Sequence, residues 1–153
     1  MSAVAADELL DIVSAKALAE IYQHAEQEYP RECCGMILAD GTVRPCVNAQ
    51  DSMQAIDSVT FDRNARRAFT FDAADQLFLA RSFESSRPVR VIYHSHPTGG
   101  VHFSRYDRAG ASIDGRPIYP ELLHIVVDCT GGVAREAVLY RFDSQEPTKL
   151  AAY

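Results

Sequence analysis

Apolar residues recur along this chain with two different periods, and the switches between them mark out its elements. Leu18, Ile21, Tyr22 and Ala25 stand three and four apart, the spacing of one helical face, with Ser14 placed to cap the helix and Pro30 to end it. A short apolar run over 33–39 meets Asp40-Gly41, a strong hairpin signal, and 42–47 reads as the returning strand. Residues 48–68 are polar without a clean period and read as a long loop or insertion, with Arg63, Arg66 and Arg67 in its tail. Phe69-Thr70-Phe71 predicts a brief strand, and Asp72 can cap a helix over about 73–84 whose apolar face takes in Leu77, Phe78 and Phe83. Arg87-Pro88 breaks that helix. Residues 89–93 predict a buried strand, 94–103 a loop, and Ser104 the cap of a further helix. Two last strands are expected over 122–127 and 137–142, around the turn Thr130-Gly131-Gly132. Helices alternating with hairpin-linked strands imply an α/β sandwich around a mixed, mostly antiparallel sheet flanked by helices. It forms a single domain over 1–153, with 1–12 and 144–153 expected to fray.

Composition narrows the function classes. A chain of 153 residues makes one domain with a proper core, and 47% hydrophobic with 24% charged residues is ordinary for a soluble protein. Fifteen basic against twenty-one acidic residues leave a net charge of −6, which lacks the positive footprint that nucleic acid or an anionic membrane surface requires. The longest apolar run, near 122–127, is interrupted by His124 and is far too short to span a bilayer. Asp7 and Glu8 stand where a signal peptide would be basic, so a cytoplasmic location is expected. The four cysteines form no CxxC pair, and adjacent Cys33 and Cys34 point to opposite faces of a strand, so all four read as small, buried, reduced side chains.

The chemistry concentrates in His94-Ser95-His96-Pro97 followed by Ser104-Arg105-Tyr106-Asp107. Imidazoles at i and i+2 of an extended segment project to one side, about 7 Å apart at the backbone, close enough to share a metal ion. Pro97 halts the strand, Thr98-Gly99-Gly100 turns the chain back, and Asp107 falls in the first turn of the next helix, where a carboxylate is favoured. Two imidazoles and a carboxylate are ligands zinc accepts, and three protein ligands leave a fourth position open, as in catalytic zinc sites. Taken singly, these fragments have plain structural readings: a polar histidine at a strand end, and a Ser-x-x-Asp capping box.

Taken together, His-x-His-Pro with Ser and Asp at these spacings resembles the JAMM motif of the MPN-plus zinc metalloproteases. Upstream, Pro30-Arg31-Glu32-Cys33-Cys34-Gly35 resembles the same family's Pro-x-Glu-x-Cys-Gly segment. The resemblance runs from the first helix to the strand near Tyr140. It implies the MPN (cytidine-deaminase-like) fold, one Zn2+ per chain on His94, His96 and Asp107, and Glu32 as the general acid–base. It also implies that Ser104 donates to the developing oxyanion. His102 does not fit the ligand pattern, and His24 and His124 read as structural. The three arginines read as a solvated helix face, or else as a charged flap meeting a substrate carboxylate. The compact length further resembles bacterial hydrolases of ubiquitin-like sulfur-carrier proteins. The expected substrate is therefore such a carrier, cut after its C-terminal Gly-Gly to release cysteine or a short peptide. The alternatives are a non-catalytic MPN scaffold that binds a protein partner, and a broader isopeptidase or phage-associated peptidase. The oligomeric state is left open.

Overall fold

The computed structural model describes residues 11–143 and 146–153. Helix α1 (Ala15–Glu28) starts where Ser14 Oγ accepts from the Ala17 amide, and buries Ala17, Ile21, His24 and Ala25. Strands β1 (Cys34–Leu38) and β2 (Val43–Cys46) pair antiparallel around Asp40-Gly41, where Gly41 takes a left-handed φ of 88°. Strand β3 (Val89–His96) pairs antiparallel with β1 and parallel with β6 (Leu123–Asp128). Strands β7 (Glu136–Arg141) and β8 (Thr148–Ala152) extend the sheet antiparallel, giving the order β2-β1-β3-β6-β7-β8. The fold is the mixed, mostly antiparallel sheet flanked by helices that the alternation of elements predicts.

The two faces of the sheet carry separate cores. Val91, Tyr93, Leu123, Ile125 and Leu139 meet Ile21 and Ala25 of α1 on one side. On the other, Met36, Ile92 and Leu122 pack with Phe71 and with Leu79 of helix α3 (Ala73–Ser82). Cys33 lies in the first core and Cys34 in the second, as alternation along a strand requires, and all four cysteines are free and buried. Among the described residues no helix is long and apolar enough to cross a membrane.

Several expectations are corrected. The segment over 48–68 is no plain loop, since it contains helix α2 (Gln50–Ile56) and an internal hydrogen-bond network. Phe69-Thr70-Phe71 makes only an isolated bridge, Asn48 to Phe71, and the Asn48 side chain takes up the Thr70 amide and the Ala68 carbonyl that a longer ladder could use. In α3 it is Leu79 that turns inward, while Leu77 is exposed. β3 continues through His94 and His96, because parallel pairing with β6 holds its end to the His96–Asp128 register. A small hairpin, β4 (Ser112–Ile113) with β5 (Arg116–Pro117), follows helix α4 (Arg105–Gly110). The C-terminal end is not frayed over 148–152: it is strand β8, held because Leu150, Ala151 and Tyr153 pack on the first core. The expected fray over 1–10 lies outside the described residues.

Candidate metal centre

His94 and His96 lie on the same face of β3 as Ile92, at its C-terminal end, both buried. Their Nε2 atoms are 3.1 Å apart. Asp107 closes the group from α4, with Oδ1 3.0 Å from His94 Nε2 and Oδ2 3.2 Å from His96 Nε2. One donor atom from each residue lies within 4.8 Å of the others. Asp107 is held by a capping box: Ser104 Oγ accepts from the Asp107 amide at 3.0 Å, and Asp107 Oδ2 accepts from the Ser104 amide at 2.8 Å. The cap uses Ser104 Oγ only as an acceptor, so its hydroxyl proton stays available. Phe69 stacks on the His94 ring at 4.8 Å between centroids and sets its plane.

Glu32 reaches the same neighbourhood from the segment before β1. Its amide donates to the Ala65 carbonyl at 2.7 Å, and its carbonyl accepts from Asn48 Nδ2 at 2.9 Å. The next residue is pinned to the motif strand, since Cys33 N donates to Ser95 Oγ at 2.8 Å and Ser95 N to the Cys33 carbonyl. Glu32 is 5% exposed, and its buried Oε1 has no hydrogen-bond partner among the described residues. Burial foremost, and the Asp107 charge second, push its pKa to about 8, with the Arg63 guanidinium pulling the other way. For Asp107, burial acts to raise the carboxyl, but His94 and His96 together outweigh it and hold the group well below the usual carboxylate range.

This donor set suits a divalent cation such as zinc. Two imidazole nitrogens and a carboxylate converge, no cysteine joins them, and an unpartnered carboxylate oxygen lies buried in the same neighbourhood. His102 is exposed and tilts against the His96 ring at 5.2 Å without joining the cluster. His24 lies on the far face, with Nδ1 2.8 Å from the Tyr93 hydroxyl. His124 is buried in β6, and burial, then the nearby His94, push its pKa down to about 4.

The three arginines do not share a helix face. Arg63 lies over the Tyr106 ring at 3.6 Å, Arg66 borders a small recess with Asp51, and Arg67 lines a larger cavity beside His94. Sequence reasoning missed the groups that hold Glu32. Asn48 Oδ1 accepts from the Gln50 and Thr70 amides while its amide group donates to the Glu32 and Ala68 carbonyls. Asp51 Oδ1 accepts from the Ala65 amide at 2.7 Å. The one available signal was the Asn48-x-Gln50 spacing, which suits an Asx turn at the start of a loop.

Comparison with known proteins agrees with this geometry. A solution structure of a Desulfitobacterium hafniense protein superposes with a TM-score of 0.63 at 19% identity, covering 90% of this chain and 87% of that one. A Salinibacter ruber protein superposes with a TM-score of 0.55 at 18% identity over the same shares. These likenesses establish the fold. No curated protein matches the sequence. The family model for prokaryotic homologues of the JAB domain matches residues 14–142, from the cap of α1 to the end of β7, and the chain is therefore a member of the prokaryotic JAB-domain family.

Proposed function

We propose that the protein is a zinc-dependent amide hydrolase that cuts after the C-terminal Gly-Gly of a ubiquitin-like sulfur-carrier protein, releasing cysteine or a short peptide. The observation that supports this most is the convergence of His94, His96 and Asp107, with the buried carboxyl of Glu32 within reach of the Asp107 charge and its Oε1 unpartnered among the described residues. A zinc ion on these three residues supplies Lewis acidity and lowers the pKa of water from about 15.7 towards 7. Glu32, in its carboxylate form, takes the attacking water's proton and hands it to the leaving amine. The amide C–N bond breaks, the acyl carbon keeps the hydroxyl, and the amine leaves with the proton. Ser104 donates a hydrogen bond from its hydroxyl to the developing oxyanion, a contribution of about 3 kcal/mol in comparable sites. The Arg63 guanidinium favours that charged form of Glu32, against the burial that disfavours it. The narrow Gly-Gly tail fits the reading because it lets an extended chain pass close to the centre.

The test is incubation with a panel of carriers carrying extensions after Gly-Gly, read by intact mass, alongside elemental analysis. The parent protein holds one zinc per chain and cuts after Gly-Gly. The double variant His94→Ala/His96→Ala loses both metal and turnover. Glu32→Gln keeps the metal and loses nearly all turnover. Stoichiometric zinc in the double variant, or full activity in Glu32→Gln, overturns the assignment.

A further inference from the structure

His94 and Asp107 also form the inner wall of a cavity of about 750 Å³, well inside the size range of sites that bind small molecules. Its floor is apolar and closed by the buried side chains of Phe71, Leu79, Leu122 and Phe142. Leu77, Tyr106 and Ile118 also line it, each more than 40% exposed, so large apolar side chains gather at its mouth. Two polar groups in this setting make no side-chain hydrogen bond or ion pair among the described residues. His124 is 8% exposed, lines the cavity, and makes no side-chain hydrogen bond with any described residue. Arg67 lines the cavity with an exposed guanidinium that forms no ion pair among the described residues. An apolar chamber with a few convergent polar groups is the usual make-up of a ligand site.

The tail invoked above ends in glycines, which have no side chain to fill such a space. Of the two products proposed above, cysteine would leave most of it empty, so the cavity narrows that reading to a larger first residue after the cut. On the hydrolase reading, on which this inference rests, the cavity therefore belongs to the amine side of the scissile bond. We propose that it is the leaving-group subsite, taking an aromatic side chain on the residue directly after the cut, with the carboxylate of the released amino acid or short peptide paired to Arg67. Aromatic occupants fit because Phe69, Phe103 and Tyr119 also line the chamber, and rings pack on rings in offset and edge contacts. A guanidinium at the mouth suits a carboxylate, the one charge that every released amino acid or peptide carries at its far end.

The experiment measures binding of L-phenylalanine, L-phenylalaninamide and glycine by chemical-shift titration, and cleavage of carriers extended by Gly-Gly-Phe or Gly-Gly-Gly. Phenylalanine is expected to bind at least about tenfold tighter than glycine, the scale of burying one aromatic side chain, with shifts at the lining residues. It is expected to bind about threefold tighter than its amide, the scale of an exposed ion pair, and Arg67→Gln abolishes that difference. Ala80→Trp, on the exposed lining face of α3, blocks the chamber and removes the preference over glycine. If that variant fails to fold, Leu77→Glu at the mouth makes the same test. Equal binding of phenylalanine and glycine overturns the subsite, and equal binding of acid and amide overturns the role of Arg67. Cleavage of both carriers at equal kcat/KM also overturns the subsite while leaving the hydrolase intact. Binding of phenylalanine without cleavage of either carrier overturns the hydrolase reading instead.

Discussion

A glutamate in water has a pKa near 4.5, and burial, which disfavours the charged form, pushes Glu32 up to about 8. Between those values the folded metal-free protein holds a proton that the unfolded chain has released. The group's contribution to stability is therefore fully present below about pH 4.5 and is lost as pH rises to about 8. Glu32→Gln has no such proton to lose. In urea denaturation of the metal-free proteins, the parent is expected to lose stability relative to Glu32→Gln across that window. A difference that stays flat from pH 4.5 to 8 contradicts the burial described for this carboxyl. Ser104 makes a second prediction at the same scale. Removing its hydroxyl takes away the acceptor for the Asp107 amide, so Ser104→Ala loses about 1 kcal/mol in denaturation while turnover falls further than that loss accounts for. A rate loss fully restored by lowering the temperature identifies a cap and nothing more.

At the level of elements, the close approach of β1 to β3 depends on one missing side chain. Gly35 pairs with Tyr93, and a Cβ at that position would lie 2.3 Å from the Tyr93 ring, which is fully buried and tied through its hydroxyl to His24. Gly35→Ala is expected to cost about 3 kcal/mol, measured by thermal and urea denaturation, because neither strand nor ring has room to yield. The same pairing shows what was legible in the sequence. The helix at 15–28 and the hairpin at Asp40-Gly41 rest on local signals, and caps and turn residues act over three or four positions. The spacing of His94, His96, Ser104 and Asp107 was legible because strand and helix periods convert directly into geometry. The extension of β3 through His96 was not, since it is fixed by pairing with β6, some thirty residues further on. Nor was the network around Asn48 and Gln50, where polar side chains bond backbone groups across 48–70 and leave no hydrophobic period to read. The strand at 148–152 was missed because its residues are half-buried or exposed at a sheet edge, so alternation is weak there.

For the whole molecule, that edge has measurable weight. Leu150, Ala151 and Tyr153 pack on the core under α1, and Tyr153 exchanges backbone hydrogen bonds with Ala137. Removing residues 148–153 is expected to cost about 2–4 kcal/mol and to bare the β7 edge to self-association. Denaturation and light scattering together check it, and unchanged stability would show that β8 is dispensable. The single parallel pairing in the sheet, β3 with β6, has a consequence of another kind. Its connection is the stretch that carries Asp107, so the carboxylate is delivered to the imidazoles only as that crossover closes. Such non-local pairings form late in folding, after local hairpins and helices. During synthesis, a chain paused before β6 has emerged holds His94, His96, Asp107 and Glu32 but has no strand to dock the crossover against. The three side chains that could hold a metal would thus converge only once the fold is complete, so any metal binding would report on folding as well as on the site.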